Sequence, residues 1–567
     1  YNLGLVIALL KKCSFFMLTK RLRKIVTKPA DRLFWQVGDK FLAKMFLLLR
    51  ACNRQDILLV LVEAFSPPLW MFLAITSING WLSDTNKVQD NSMSNWQNFI
   101  GGKWVSANSQ IYVENPATGE VFASTAKASL DDLEMAVNAA RECVNSRKLI
   151  DCKPSERSAL LYRIADEIRA ISQEGSELAV LENGKRLSDA QNEFSEAARY
   201  FEYYAGMADK IEGASIPLGS DYIDFTVYEP FGISAQIVPW NFPVSICARS
   251  LAPALAAGNA VIVKSPELTP LAMTWIATAC ERAGLPEGAL SMLCGAGPEV
   301  GAALAAHKDI DQIVFTGSVP TGRAILHAAA DRAVPCVMEL GGKSAAVVFA
   351  DADLDQLMDS INWGIFFNAG QVCSAMSRLL IERSIYDQLV ERIAGLANSL
   401  KIGPGIDNND VTPVMSAIQQ KMVLHYCDQA QEQGATLITG GKKAAGHKGY
   451  FVEPTVFGDV SPDSDIFKQE VFGPVLAITP FDTEEQAWDL ANATDYGLVA
   501  GIFSTDINRC LRGTKLLRAG QIFVNEWYAG GIETPFGGTG LSGYGREKGQ
   551  EALYSYVQTK NVGINIS

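Results

Sequence analysis

Apolar residues recur at helical spacing between Leu130 and Glu212, with Leu160, Leu161, Ile164 and Ile168 on one face, which predicts a stretch dominated by helices. From Gly232 onward the pattern changes. Short β-branched runs, Ile233–Val238 and Ala260–Val263, are each followed by a loop and a helical stretch, as parallel strands with crossover helices require. A second series, Ala345–Phe349, Arg378–Ile381, Val475–Ile478 and Ile522–Asn525, predicts a second sheet. Two α/β domains are expected, with Glu339 near their junction.

The first 92 residues follow another pattern. An apolar run from Ile57 to Ile78 has the length of a membrane span, but Glu63 and Pro67-Pro68 interrupt it. The segment carries 13 Lys/Arg against 6 Asp/Glu, a balance of +7 that leaves −20 on the remainder. Two readings stand for residues 1–92: read-through upstream of a native start at Met93, or a basic, hydrophobic extension that anchors the chain to a membrane. Membrane contact follows only from the second, and a cytoplasmic location from the first.

At 567 residues, 48% hydrophobic and 20% charged, the chain is long enough for two or three domains. A formal net charge of −13 argues against attraction to nucleic-acid phosphates, so no nucleic-acid partner is expected. The 11 cysteines include no Cys-x-x-Cys pair, which points to reduced thiols. The histidines, His307, His327, His425 and His447, lack metal-ligand spacing, so no metal is expected.

The candidate chemistry lies in a series of short motifs. Strand-like Ile310–Phe315 runs into Gly317-Ser-Val-Pro-Thr-Gly322 and a helical stretch. Backbone N–H groups of such a turn can approach a pyrophosphate at a helix N-terminus, although a plain strand-to-helix turn has the same look. Lys264 and Glu267 close another strand, at the carboxyl end where ligands bind in open α/β sheets. Cys373, in Asn368-Ala-Gly-Gln-Val-Cys-Ser374, is either a nucleophile or a small buried hydrophobe.

Together with Pro239-Trp-Asn-Phe-Pro243, Glu339-Leu-Gly-Gly-Lys343, Glu470-Val-Phe-Gly-Pro474 and Pro535-Phe-Gly-Gly538, these motifs resemble the NAD(P)-dependent aldehyde dehydrogenase superfamily from about Met93 to the C-terminus. The resemblance implies Cys373 as nucleophile, Glu339 as the base that activates water, and Asn241 as an oxyanion donor. It implies NAD, with NADP possible, held by Trp240, Lys264, Glu267, Gly317, Ser318, Gly322, Glu470 and Phe472. A small-molecule aldehyde would sit among Phe242, Arg249, Phe367, Trp527, Tyr528 and Phe536. Arg249 would face a substrate carboxylate or hydroxyl, or be satisfied locally; Trp527 and Tyr528 would form the mouth.

The implied fold is a Rossmann-like cofactor domain (93–212 and 232–342), an α/β catalytic domain (343–550) and a β arm (213–231 and 551–567) that makes homodimers or homotetramers. The rivals are transfer of the acyl group to coenzyme A, which needs no water-activating Glu339, and an inactive dinucleotide-binding or structural relative.

Overall fold

The computed structural model describes residues 95–567, and the expectations for residues 1–92 and for Met93 lie outside them. The Leu160, Leu161, Ile164 and Ile168 face is buried on the helix Pro154–Ala170, which packs on Leu187–Ala205. The first helix of this region, Leu130–Asn145, starts at a capping box: Ser129 Oγ accepts from the Asp132 N–H and the Asp132 carboxylate accepts from the Ser129 N–H.

An eight-stranded sheet has five parallel strands at its centre, in spatial order Cys336–Glu339, Gln312–Thr316, Ile233–Ile237, Ala260–Ser265, Leu290–Cys294. All five are almost wholly buried on both faces, which explains their continuous apolar runs. The chain starts at Ile233–Ile237, winds outward to Leu290–Cys294, then returns to the other side of its starting strand. The winding therefore reverses between Ile233–Ile237 and Gln312–Thr316. Loops leaving the carboxyl ends of these two strands part there and open a crevice. The antiparallel edge strand Gly543–Tyr544 comes from far along the chain, across the expected boundary at 343.

A seven-stranded sheet contains Ala345–Val348 between Arg378–Glu382 and Val499–Phe503, parallel except where Thr436–Thr439 meets Thr455–Gly458. Val499–Phe503 and Leu290–Cys294 are absent from the strands predicted above. The first carries Gly501 and the second has no β-branched residue, so neither shows the usual composition of a strand. Tyr222–Pro230 pairs antiparallel with Val557–Asn565 through nine register positions, and Ser215–Ile216 lies on its other edge.

Candidate active site

A cavity of about 620 Å³ occupies the crevice at the winding reversal. Its wall includes the loop after Ile233–Ile237, which enters the helix Pro243–Ala257. Glu193 Oε1 accepts from the Val244 and Ser245 N–H groups at 2.8 and 3.1 Å, satisfying donors that the first turn of a helix leaves free. The other Glu193 oxygen meets Lys185 Nζ in a buried ion pair, and the same ammonium donates to the Asn241 carbonyl at 3.0 Å. Asn241 is thus held from its backbone. Its amide donates one N–H to the Gln371 carbonyl at 3.0 Å, and the amide has a second N–H to offer.

Gln371 belongs to the segment that presents Cys373. Asn368, Ala369 and Gly370 all have left-handed backbones, with φ of 48°, 53° and 70°. For the first two this is a costly conformation that only a rigid surround maintains. At Gly370 a Cβ would lie 2.0 Å from the Gly473 carbonyl oxygen, so the turn needs glycine both for its φ and for its close approach. Cys373 lines the cavity. Burial pushes its thiol up to about 12, with Glu470 and Glu339 adding to the effect and Arg249 opposing it. Cys336, by contrast, lies outside the cavity lining and its Sγ is spent on the Val334 carbonyl at 3.4 Å.

Glu339 ends the strand Cys336–Glu339 and is 2% exposed, yet neither carboxyl oxygen has a hydrogen-bond partner among the described residues. Burial holds its pKa well above the usual carboxylate range; Glu547 adds to this, while Arg249 and Arg546 oppose it. Glu470 also lines the cavity. Burial pushes it up to about 7 against the opposing pull of the Gly342 N–H, which donates to it at 3.0 Å, and of Lys343. A Cβ on Gly341 would lie 2.1 Å from Glu470 Oε2, so a side chain there would fill the place of this carboxylate.

Trp240 and Phe472 meet edge to face with centroids 5.4 Å apart, and both line the cavity beside Gly317 and Ser318. Phe472, at φ 55°, is fixed by Gln419 Nε2, which donates to its carbonyl at 2.8 Å. Gly322, Lys264 and Glu267 stand outside this lining. Gly322 lets its helix close on Leu340, whose Cδ2 would be 2.6 Å from an added Cβ. Glu267 pairs with Lys264 Nζ at 2.7 Å and also accepts from the Gly297 N–H. Burial would raise the Glu267 pKa, but the Lys264 ammonium prevails and holds it below the ordinary value.

Phe242 and Phe367 stack at 5.8 Å and 24°, and Phe536 and Tyr528 complete an aromatic lining. One expectation needs correction. Trp527 is no mouth residue: it is 4% exposed, its ring covers Gly501, and its Nε1 donates to the Ser374 carbonyl at 3.1 Å. A Cβ on Gly501 would lie 2.6 Å from that ring, so the glycine that obscures the strand also makes room for the indole. Arg249 lines the cavity, but its guanidinium forms an ion pair with the buried Glu547, whose other oxygen accepts from Ser250 Oγ at 2.7 Å. Of the two readings of Arg249, local satisfaction is the one observed.

Sequence reasoning missed Lys185, Glu193 and Glu547. The available signal was a charge set among buried positions, as Glu193 is between Ala190, Phe194 and Ala197 on one helix face. Among the described residues no cluster of three His, Cys, Asp or Glu could hold a metal, and no helix is long and apolar enough to cross a membrane.

The aldehyde dehydrogenase family model matches residues 104–562. A mitochondrial aldehyde dehydrogenase of Leishmania tarentolae is 40% identical over 469 residues, covering 82% of this chain and 94% of its own. The peroxisomal aminoaldehyde dehydrogenase 1 of Pisum sativum is 39% identical over 482 residues, with 83% and 96% covered. Among solved structures, the NAD+ complex of an aldehyde dehydrogenase from Bacillus cereus is 38% identical with a TM-score of 0.82, covering 84% of this chain and 97% of its own. The betaine aldehyde dehydrogenase of Staphylococcus aureus in complex with NAD+ is 34% identical, also at 0.82, with 83% and 95% covered.

A thiol raised this far carries a thiolate fraction that grows tenfold per pH unit through the neutral range. In the absence of cofactor, iodoacetamide modification of Cys373, followed by mass spectrometry of its peptide, should accelerate about a hundredfold from pH 7 to pH 9. A rate that levels off below pH 8 would contradict a thiol pKa raised above its ordinary value.

Proposed function

This chain belongs to the aldehyde dehydrogenase family, whose members oxidise aldehydes with NAD(P), and we propose that Cys373, Asn241 and Glu339 carry the reaction here. The observation that supports this most is that the three, drawn from separate segments, line one cavity. Cys373 Sγ gives up its proton to solvent and attacks the carbonyl carbon as the thiolate. The resulting thiohemiacetal oxyanion takes hydrogen bonds from the second N–H of the Asn241 amide and from the Cys373 backbone N–H. A nicotinamide held beside Trp240, Glu470 and Phe472 would supply the hydride acceptor, and loss of hydride from the thiohemiacetal carbon would leave a thioester on Cys373. Glu339, with both oxygens free of protein partners, takes a proton from the water that cleaves the thioester to a carboxylate. Because burial raises its pKa, this last step gains speed as pH rises.

The nicotinamide end of the cofactor fits beside Trp240, Gly317, Ser318, Glu470 and Phe472, where the bare Gly341 leaves room for the Glu470 carboxylate. Lys264 and Glu267 hold the adenosine ribose, and the charge of Glu267 disfavours a 2′-phosphate. Gly322 serves by keeping the helix close. The substrate packs on Phe242, Phe367, Tyr528 and Phe536, with Arg249 on the same cavity paired to Glu547. The larger sheet and the helices before it form the cofactor domain, and the seven-stranded sheet the catalytic domain.

The strand Val557–Asn565 is largely exposed, and Ile216, Tyr222, Ile223 and Ile564 are exposed around it, which supports pairing with a second copy. Nine unpaired cysteines among the described residues support a reducing compartment, read here as the cytoplasm and open to test by cell fractionation.

Glu339→Gln should release up to one NADH per active site and then turn over at least a hundredfold more slowly, with an acyl adduct on Cys373 by mass spectrometry. A slowed first turnover without adduct would move Glu339 to a role before hydride transfer. For the cofactor, a repulsion of about 1.4 kcal/mol already gives tenfold preference, so NAD+ should lead in kcat/KM and Glu267→Ser should narrow the gap. Equal use of NADP+ by the unmodified enzyme would reject that reading. Truncation before residue 557 should lower the mass seen by analytical ultracentrifugation from an oligomer to a monomer, and an unchanged oligomer would place the interface elsewhere.

A further inference from the structure

With Arg249 neutralised by Glu547, the cavity still contains a second cation. Lys548 lines it, and its Nζ stands 5.9 Å from the centre of the Phe536 ring. Among the described residues no carboxylate lies within ion-pair distance of this ammonium and no hydrogen bond engages it. The Lys548 backbone has φ 62° and ψ 170°, a region that is in practice reserved for glycine. The following residue, Gly549, is also at positive φ, with its N–H bonded to the Ile532 carbonyl at 2.8 Å. The turn alone would be served better by glycine at both positions, so the side chain at 548 stands against the preference of its backbone.

The groups facing Lys548 limit what it can bind. Glu196 lines the same cavity and acts on Lys548 through its charge; its Oε1 accepts from Tyr200 Oη at 3.2 Å and its Oε2 from Ser245 Oγ at 2.6 Å. Glu547 is committed to Arg249 and Ser250, and the exposed Glu533 accepts from Arg199 at 3.2 Å. Glu196 and the unpartnered Glu339 are acids of the same cavity, and Lys548 is the cation on it that, among the described residues, no carboxylate pairs; Phe536 borders it, with the Phe242 and Phe367 stack on the same cavity.

We propose that Lys548 anchors a carboxylate carried by the substrate away from its aldehyde, so that the substrate class is the semialdehyde of a dicarboxylic acid, its carbon chain covered by the phenylalanine wall. The assignment rests on the reading of the cavity as an aldehyde-oxidising site. An ammonium half withdrawn from water, whose pKa burial lowers against the pull of Glu196, gains more from an incoming anion than a solvated lysine would.

The test is the ratio of kcat/KM for a carboxylated aldehyde to that for a neutral aldehyde of equal length. The unmodified enzyme should favour the carboxylated one. Lys548→Gly and Lys548→Met should each reduce the ratio about ten- to a hundredfold, and Lys548→Arg should keep most of it. Lys548→Gly should also raise Tm by relieving the backbone, which separates loss of the anchor from loss of the fold. Independently of turnover, calorimetric binding of succinate or adipate should weaken by a similar factor in Lys548→Gly. An unchanged ratio in both the Gly and Met variants overturns the proposal. So does a preference for amino aldehydes that Glu196→Gln removes, which would make Glu196 the anchor. If neutral aldehydes are oxidised without preference for carboxylated ones, only the Lys548 assignment fails; if no aldehyde reduces NAD+, the reading beneath it fails as well.

Discussion

The buried ion pair between Lys185 and Glu193 is the constraint on which the site depends. Neither charge reaches solvent, and a buried pair repays its desolvation only when further hydrogen bonds complete it. Here the additional bonds are the productive part. Glu193 caps the helix Pro243–Ala257 and Lys185 holds the Asn241 carbonyl, so one electrostatic unit fixes both the helix and the loop that enters it. Losing one partner of such a pair costs about 3–5 kcal/mol, because the other charge is left buried without compensation. Asn241 then ties this unit to the Cys373 segment through Gln371. The amide and the thiol are therefore positioned by one hydrogen-bonded chain.

Strain accumulates on the cysteine side of that chain. Asn368, Ala369, Phe472, Tyr528 and Lys548 all have left-handed backbones, and they come from loops that converge on the same cavity. Backbones of this kind persist where their surroundings over-determine them. Helices and sheets supply that rigidity, and the loops use it.

The sheets were legible because their strands are buried on both faces and so read as continuous apolar runs. The winding reversal was not, since strand order depends on pairings between distant segments. The reactive residues were legible through motifs, whereas their supports were not. Glu193 lies among apolar residues on a helix face and Glu547 between Arg546 and Lys548, and nothing in the spacing along the chain tells which cation each will meet. Arg249 shows the limit in reverse. Its position beside the cavity could be read from the sequence, but its neutralisation depends on a carboxylate far away in the chain. Trp527 went wrong for a related reason: an aromatic residue in a glycine-rich loop looks exposed until the bare Gly501 backbone beneath it is known.

That long separation also sets an order of events during synthesis. Ser250 and Glu547 are 297 positions apart, and the strand Gly543–Tyr544 closes the edge of a sheet whose other strands end at Glu339. A nascent chain that has emerged only through residue 540 holds both sheets in outline, yet it leaves the Cys336–Glu339 edge open and the Arg249 guanidinium without its counter-charge. Exposed strand edges and unpaired buried charges are the features that chaperones and proteases act on. Residues 543–547 thus close a sheet edge and a buried charge at once, so both are completed by one short segment from far along the chain.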